Sequence, residues 1–360
     1  MGDHWDVEPV PRRDGTVKLA DGRRLGFAEY GAEGGDAVLW FHGTPGARHQ
    51  IAPDVNAIAE ERNVRVITVE RPGVGDSTPH LHGRVLDWAG DIDQLTAHLG
   101  VDRFAIAGLS GGGPYVLACA HAFPDRVVAG AVLGGVAPTQ GPDGADGGLV
   151  ALANRFRLPL EWLREPLGYT LWGAVKLLMP FQEQAVGAYL HFQPPGDQEV
   201  FQRPGMKEMF LKDISTGARK RFHAVIYDVV LFTRDWGFSP RDVRVPIRFW
   251  HGDEDHIVPL VHGHHVASLM PDAEVFERPG ESHLGTLAVL DEVLDVLLDL
   301  WPDRAHAPAP AEKAAKTQTE KSPAEQAPPK KKPAAKKATP KKPSAKKPAA
   351  KKPAAKTISG

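Results

Sequence analysis

The stretch Gly108-Leu109-Ser110-Gly111-Gly112 decides how the rest of the chain is interpreted. It follows an apolar run at residues 104–109, which predicts a buried strand, and precedes a helical pattern at residues 115–122. A GxSxG sequence between a strand and a helix is typical of a serine held on a sharp turn with its hydroxyl exposed. The stretch therefore predicts that Ser110 is a nucleophile. The alternative is a glycine-rich helix entrance with an idle serine.

Short apolar runs alternate with helical patterns on both sides of this stretch. Runs of this kind are typical of parallel strands that are buried on both faces of a sheet. The predicted strands are residues 37–41, 64–69, 104–109, 127–133, 247–250 and 274–277, and the predicted helices are residues 55–62, 86–99, 115–122, 261–270 and 284–301. A hairpin of two strands, 16–19 and 24–30, turns at Asp21-Gly22 and precedes them.

The segment Phe41-His42-Gly43-Thr44-Pro45-Gly46 follows the first of these parallel strands. A tetrahedral intermediate of acyl transfer needs two hydrogen-bond donors for its oxyanion. One donor is predicted to be the backbone N–H of Gly111. The other is predicted to be the N–H of Thr44, in the loop after this earlier strand. The alternative for this segment is an ordinary strand-to-helix loop.

Two later segments offer partners for a nucleophilic serine. His251-Gly252-Asp253-Glu254-Asp255 continues to Pro259 after a predicted strand, and its three acidic residues cannot be ranked by spacing alone. Gly280-Glu281-Ser282-His283 precedes the last predicted helix. A carboxylate from the first segment could orient a histidine from the second. His283 is favoured among sixteen histidines because it follows both the serine and the acidic segment in the chain.

Taken together, the motifs HGTPG, GLSGG, HGDEDHIVP and SH resemble those of the α/β-hydrolase family. The resemblance covers about residues 16–300 and implies an α/β-hydrolase fold, with a mostly parallel central sheet and helices on both faces. The family pattern HGxxDxxVP implies that Asp255 is the triad acid beside Ser110 and His283. Some members place the acid after an earlier strand, but Leu133-Gly134-Gly135-Val136 offers no carboxylate there.

The resemblance implies a serine hydrolase that acts on an ester or a related small acyl substrate. A C–C bond hydrolase and an aminopeptidase of the same fold are alternatives. The aminopeptidase is disfavoured because such relatives usually carry a bulky residue where Gly111 stands. A protein of another class, a non-catalytic binding protein brought to polyanions by its tail, is the remaining alternative.

The alternation of strands and helices stops between residues 137 and 240. A loop rich in Gly, Pro and Asp is followed there by aromatic and leucine residues at helical spacing. This pattern predicts an inserted helical cap, 137–240, between two parts of the core, 16–136 and 241–302. Residues 1–15 are predicted to be an N-terminal extension.

Residues 303–360 differ in composition from everything before them. Fifteen lysines and Arg304 stand against four acidic residues, a net charge of +12, so the formal total of −2 leaves −14 for residues 1–302. Residues 331–355 form five pentads, each with two lysines and a proline, and contain no large apolar side chain. A segment of this composition cannot form a packed core and is predicted to be disordered.

Twelve lysines of this tail lie between Lys330 and Lys356, and no acidic residue follows Glu325. Such a segment is expected to bind a polyanion (DNA, RNA or an anionic surface) through counterion release and without sequence readout. It resembles the Lys-Pro-Ala tails of linker histones and of some actinobacterial nucleoid and surface adhesion proteins. The alternative is a solubilising tail that interacts weakly.

Composition excludes several other classes of function. The single cysteine, Cys119, excludes an internal disulfide, and a chain without a secretory h-region or an apolar run of about 20 residues is expected to be cytoplasmic. No cofactor is predicted. His262, His264 and His265 fall in a predicted helix without a carboxylate at useful spacing, so no metal site is expected. The sequence leaves the oligomeric state open.

Overall fold

The computed structural model describes residues 9–145, 147–217, 223–302 and 304. Nearly all of the predicted basic tail, from residue 303, lies outside the described residues, as does the start of the predicted N-terminal extension. Within the described ranges, no helix is long and apolar enough to cross a membrane.

Eight strands in the described part of the chain form one sheet at the centre of the fold: β1 Arg13–Lys18, β2 Arg24–Gly31, β3 Asp36–Phe41, β4 Val64–Val69, β5 Phe104–Leu109, β6 Val127–Leu133, β7 Ile247–Gly252 and β8 Ala273–Arg278. Their order in the sheet is β1-β2-β4-β3-β5-β6-β7-β8. The first two strands form the predicted hairpin, and β2 runs antiparallel to β4, whereas all later neighbours are parallel.

Successive side chains along each central strand point to opposite sides of the sheet. Both faces of the sheet are therefore apolar, and helices cover both of them. Leu39 and Phe41 of β3 belong to one apolar cluster, and Val38 and Trp40 belong to the other. The covering helices are α1 Val55–Glu61, α2 Trp88–Leu99, α3 Gly113–Ala122, α10 Leu260–Leu269 and α11 Leu290–Asp299. The predicted fold class, a mostly parallel sheet between two helical layers, is confirmed.

The chain between β6 and β7 is helical, as its spacing of aromatic residues predicts. Its described residues form six α-helices: α4 Gly148–Arg155, α5 Arg157–Leu178, α6 Gln182–His191, α7 Pro195–Gln202, α8 Met206–Gly217 and α9 His223–Phe232. Below, these six helices are called the insertion.

Element boundaries differ from the predicted ones mostly at the ends. β1 begins at Arg13, inside the predicted N-terminal extension 1–15, because its polar residues pair with β2 and give no apolar signal. α3 begins at Gly113 after a short 3-10 turn, Ser110–Gly112, so helical structure starts directly at the serine. The parallel connections bring the carboxyl ends of β3, β5, β6, β7 and β8 to one edge of the sheet. This edge is where open α/β sheets bind their ligands.

Candidate active site

Ser110, Asp255 and His283 lie together at the carboxyl edge of the sheet. Ser110 follows β5 directly, Asp255 follows β7, and His283 follows β8. His283 Nε2 lies 2.8 Å from Ser110 Oγ, and His283 Nδ1 lies 2.6 Å from Asp255 Oδ2. Because a carboxylate only accepts hydrogen bonds, Nδ1 carries the proton and Nε2 offers its lone pair to the serine hydroxyl. Residues far apart in the chain thus form one continuous hydrogen-bonded series.

The turn at Ser110 has the geometry of a nucleophile elbow. Ser110 has a φ of +51°, a left-handed conformation that is unfavourable for any residue except glycine. The flanking glycines permit the bend because a Cβ on Gly108 would lie 2.7 Å from the carbonyl oxygen of Gly112. Such local strain at a single residue is typical of functional sites.

Asp255 is held rigidly, whereas its acidic neighbours are not part of the site. The Asp255 side chain is buried, and its Oδ1 accepts the backbone N–H groups of Ile257 and Val258, both at 2.9 Å. The exposed Asp253 instead accepts the N–H of Gly280 at 2.8 Å. Gly134, at the end of β6, borders the pair closely: a Cβ there would lie 3.3 Å from His283 Nδ1 and 3.6 Å from Asp255 Oδ2.

The two predicted oxyanion donors come from loops that are in contact. A Cβ placed on Gly111 would overlap the Thr44 hydroxyl, so only glycine lets the loop after β3 approach the elbow this closely. The N–H of Gly111 lies in the first turn of a helix, where backbone donors have no acceptor within the helix. Thr44 and Ser110 line the same cavity, and Gly111 lies beside them against Thr44.

A buried network that the sequence does not reveal supports the Thr44 loop. Arg71 donates to the carbonyl oxygens of His42 and Gly43 at 2.5 and 2.8 Å, and Asp228 of α9 accepts from Arg71 Nε at 3.0 Å. The Thr44 hydroxyl donates to Asp228 at 2.6 Å. Burial, reinforced by the charge of Arg71, lowers the pKa of His42 well below its ordinary value, so its imidazole is neutral. Only the position of Arg71 after β4 hints at this role in the sequence.

An apolar cavity of about 360 Å³ opens onto Ser110 and His283. The insertion supplies much of its wall through α6 and α8, while the core supplies the floor. Among the described residues that line the cavity, none is Asp, Glu, Lys or Arg. Its apolar side chains include Leu109, Val186, Phe210, Ile214, Ile257 and Leu287.

The other residues singled out by the sequence lie elsewhere. Cys119 is fully buried on α3, and burial raises the pKa of its thiol. His262, His264 and His265 occupy α10 and have separate partners: the carbonyl of Gly147 for His262, Glu277 for His264, and the carbonyl of Asp143 for His265. The partner of His264 comes from β8, so spacing along the chain could not indicate it.

Comparisons with known proteins place the fold in a family. A proline iminopeptidase of Arabidopsis thaliana is 30% identical over 129 residues, which are 35% of this chain and 33% of that protein. The chain therefore spans about a third of the length of that relative. A non-heme haloperoxidase of Rhodococcus erythropolis is 26% identical over 74% of this chain and 92% of its own length.

A solved thermophilic esterase from Thermogutta terrifontis has the same fold. It superposes with a TM-score of 0.56 at 19% identity and covers 80% of this chain and 97% of its own. The family model described as the alpha/beta hydrolase fold matches residues 36–287, from the start of β3 to the loop that follows His283. That match includes the elbow, the acidic loop and the histidine loop described above, and the chain belongs to the alpha/beta hydrolase fold family.

Proposed function

We propose that the protein is a serine hydrolase that cleaves an ester or a related acyl substrate through Ser110, His283 and Asp255. The observation that carries the proposal is the position of the His283 ring, 2.8 Å from Ser110 Oγ on one side and 2.6 Å from Asp255 Oδ2 on the other. This order of nucleophile, base and orienting acid is the geometry of a serine triad.

The reaction proceeds in two halves through an acyl-enzyme. His283 Nε2 accepts the hydroxyl proton of Ser110 as Oγ attacks the acyl carbon. The N–H groups of Thr44 and Gly111 stabilise the negative charge on the former carbonyl oxygen. His283 then returns the proton to the departing alkoxide. In the second half a water molecule gives a proton to His283, attacks the acyl carbon and releases the acid, and Ser110 regains its proton.

The cavity favours a neutral, apolar acyl group. Its described wall holds no Asp, Glu, Lys or Arg, so a charged group on the substrate would be desolvated there without a partner. An aminopeptidase substrate carries a cationic amine and needs such a partner. The proposal therefore prefers an apolar ester to a peptide with a free N-terminus. C–C bond hydrolysis by the same residues stays an alternative that substrate screening would distinguish.

A short-chain aryl ester tests the proposal directly. Ser110→Ala and His283→Ala should each lower kcat/KM by at least about a thousandfold, and the double variant should fall by about as much as either single one, because the residues act as a unit. Asp255→Asn should also be severely impaired. Asp253→Asn, an exposed carboxyl group two residues away, is the matched control and should keep nearly full activity. Retained turnover in Ser110→Ala would overturn the proposal.

We also propose that the lysines from Lys330 to Lys356 bind polyanions. The support is the charge asymmetry of the sequence, +12 after residue 302 against −14 before it. Phosphate-rich partners bound in this way are held by counterion release rather than by shape.

A further inference from the structure

Three helices of the insertion each carry one buried aspartate that faces a loop of the core. Asp197 of α7, Asp213 of α8 and Asp228 of α9 are 0, 1 and 5% exposed. A buried carboxylate is unfavourable unless hydrogen bonds compensate for its lost hydration. The hydrogen-bond partners of each aspartate therefore indicate its role.

Asp197 holds the loop that carries His283. Its Oδ1 accepts the backbone N–H of Ser282 at 2.7 Å, and its Oδ2 accepts that of Leu284 at 3.1 Å. One carboxylate thus accepts hydrogen bonds from the residue before His283 and from the residue after it. A second link joins the same segments, because the N–H of Gly196 donates to the carbonyl of Gly280 at 3.1 Å.

The other two aspartates hold the loop that carries Thr44. Asp213 accepts the N–H groups of Ala47 and His49 at 2.7 and 3.2 Å. Asp228 accepts the hydroxyl of Thr44 at 2.6 Å and that of Tyr115, on α3 behind the elbow, at 2.8 Å. Both loops that flank Ser110 are therefore fastened by side chains of the insertion.

We propose that the insertion completes the catalytic site as well as covering it, with Asp197 as the positioning residue for His283 and Asp213 and Asp228 as those for the Thr44 loop. This inference rests on the proposed function. Asp197 does not line the apolar cavity, so its effect on the reaction passes through the His283 loop. The insertion helices α7, α8 and α9 then each hold a loop of the site in place through a buried carboxyl group.

Asp197→Asn tests the role of the histidine loop. An asparagine has one acceptor oxygen, and its amide would face a second N–H donor, so one of the two hydrogen bonds is lost. A displacement of His283 should lower kcat of the aryl ester about 10- to 100-fold, as small misplacements of catalytic groups do, and should leave KM nearly unchanged. A side chain that only stabilised the fold would change neither constant below the melting temperature.

Asp91→Asn is the matched control. Asp91 is 2% exposed and paired with Arg23, but it lies on α2, outside the site. Both variants should lose stability, and only Asp197→Asn should lose kcat. Equal kcat in Asp197→Asn and wild type would overturn the inference while leaving the proposed function intact. A wild type without esterase activity would overturn the proposed function, and this inference with it.

Amide hydrogen exchange of the wild type keeps the inference testable if Asp197→Asn does not fold. The N–H groups of Ser282 and Leu284 lie in a loop, yet the carboxylate should protect them nearly as well as the N–H groups of β5 or β6. Exchange at these two positions as rapid as that of exposed loops would contradict the hydrogen bonds to Asp197.

Discussion

At the scale of single residues, Asp213 makes a specific contribution to pH dependence. Burial raises the pKa of Asp213 from 3.8 to about 7, even though two backbone N–H groups favour its ionised form. Between these two pH values the folded protein retains a proton that the unfolded chain has lost. The free energy of unfolding contributed by Asp213 is therefore highest at low pH and falls as the pH rises towards about 7.

Asp213→Asn should remove this contribution, because the amide does not titrate. Between pH 4 and 7 the free energy of unfolding of the wild type should fall relative to that of the variant. The fall should be a few kcal/mol, on the order expected for a pKa shift of this size. Urea denaturation of both proteins across this range measures it. A difference that stays constant with pH would contradict the raised pKa.

At the scale of secondary structure elements, the central strands are the part best predicted from the sequence. The bounds of β4, β5 and β6 agree with the apolar runs because these strands are buried on both faces, and only Arg65 and Thr68 of β4 are polar. The sequence pattern places the start of the edge strand β1 three residues late, because Arg13 and Asp14 are polar and exposed. The apolar pattern of the sequence therefore locates the ends of a strand more accurately when the strand is more completely buried.

The residues of the candidate site also differ in how well the sequence indicates them. The sequence indicates Ser110, Thr44 and Gly111 through local motifs, and the family pattern rather than spacing selected Asp255. Asp197, Asp213 and Asp228 leave no such signal, because each is defined by loop atoms more than 80 residues distant in the chain. Hydrogen bonds between residues so far apart in the chain have no periodicity to detect.

At the scale of the whole molecule, charge separates the chain into an acidic part and a basic tail. Deleting residues 305–360 should leave ester kinetics unchanged and abolish retention on heparin or DNA, because the remaining chain carries most of the acidic residues. Retention of the full chain should fall by orders of magnitude over a few-fold rise in salt and should not depend on base sequence. Full-length protein that passes through heparin at low salt, while the tail peptide is retained, would indicate that the tail binds its own acidic domain.

The reactivity of Ser110 towards a fluorophosphonate tests the central claim most directly. Attack of Oγ on phosphorus with loss of fluoride requires both an activated serine and a working oxyanion site, whatever the natural substrate is. Mass spectrometry should find one adduct on the wild type, located on Ser110, and none on Ser110→Ala. An unmodified wild type, or an adduct that persists in Ser110→Ala, would contradict the assignment of Ser110 as the nucleophile.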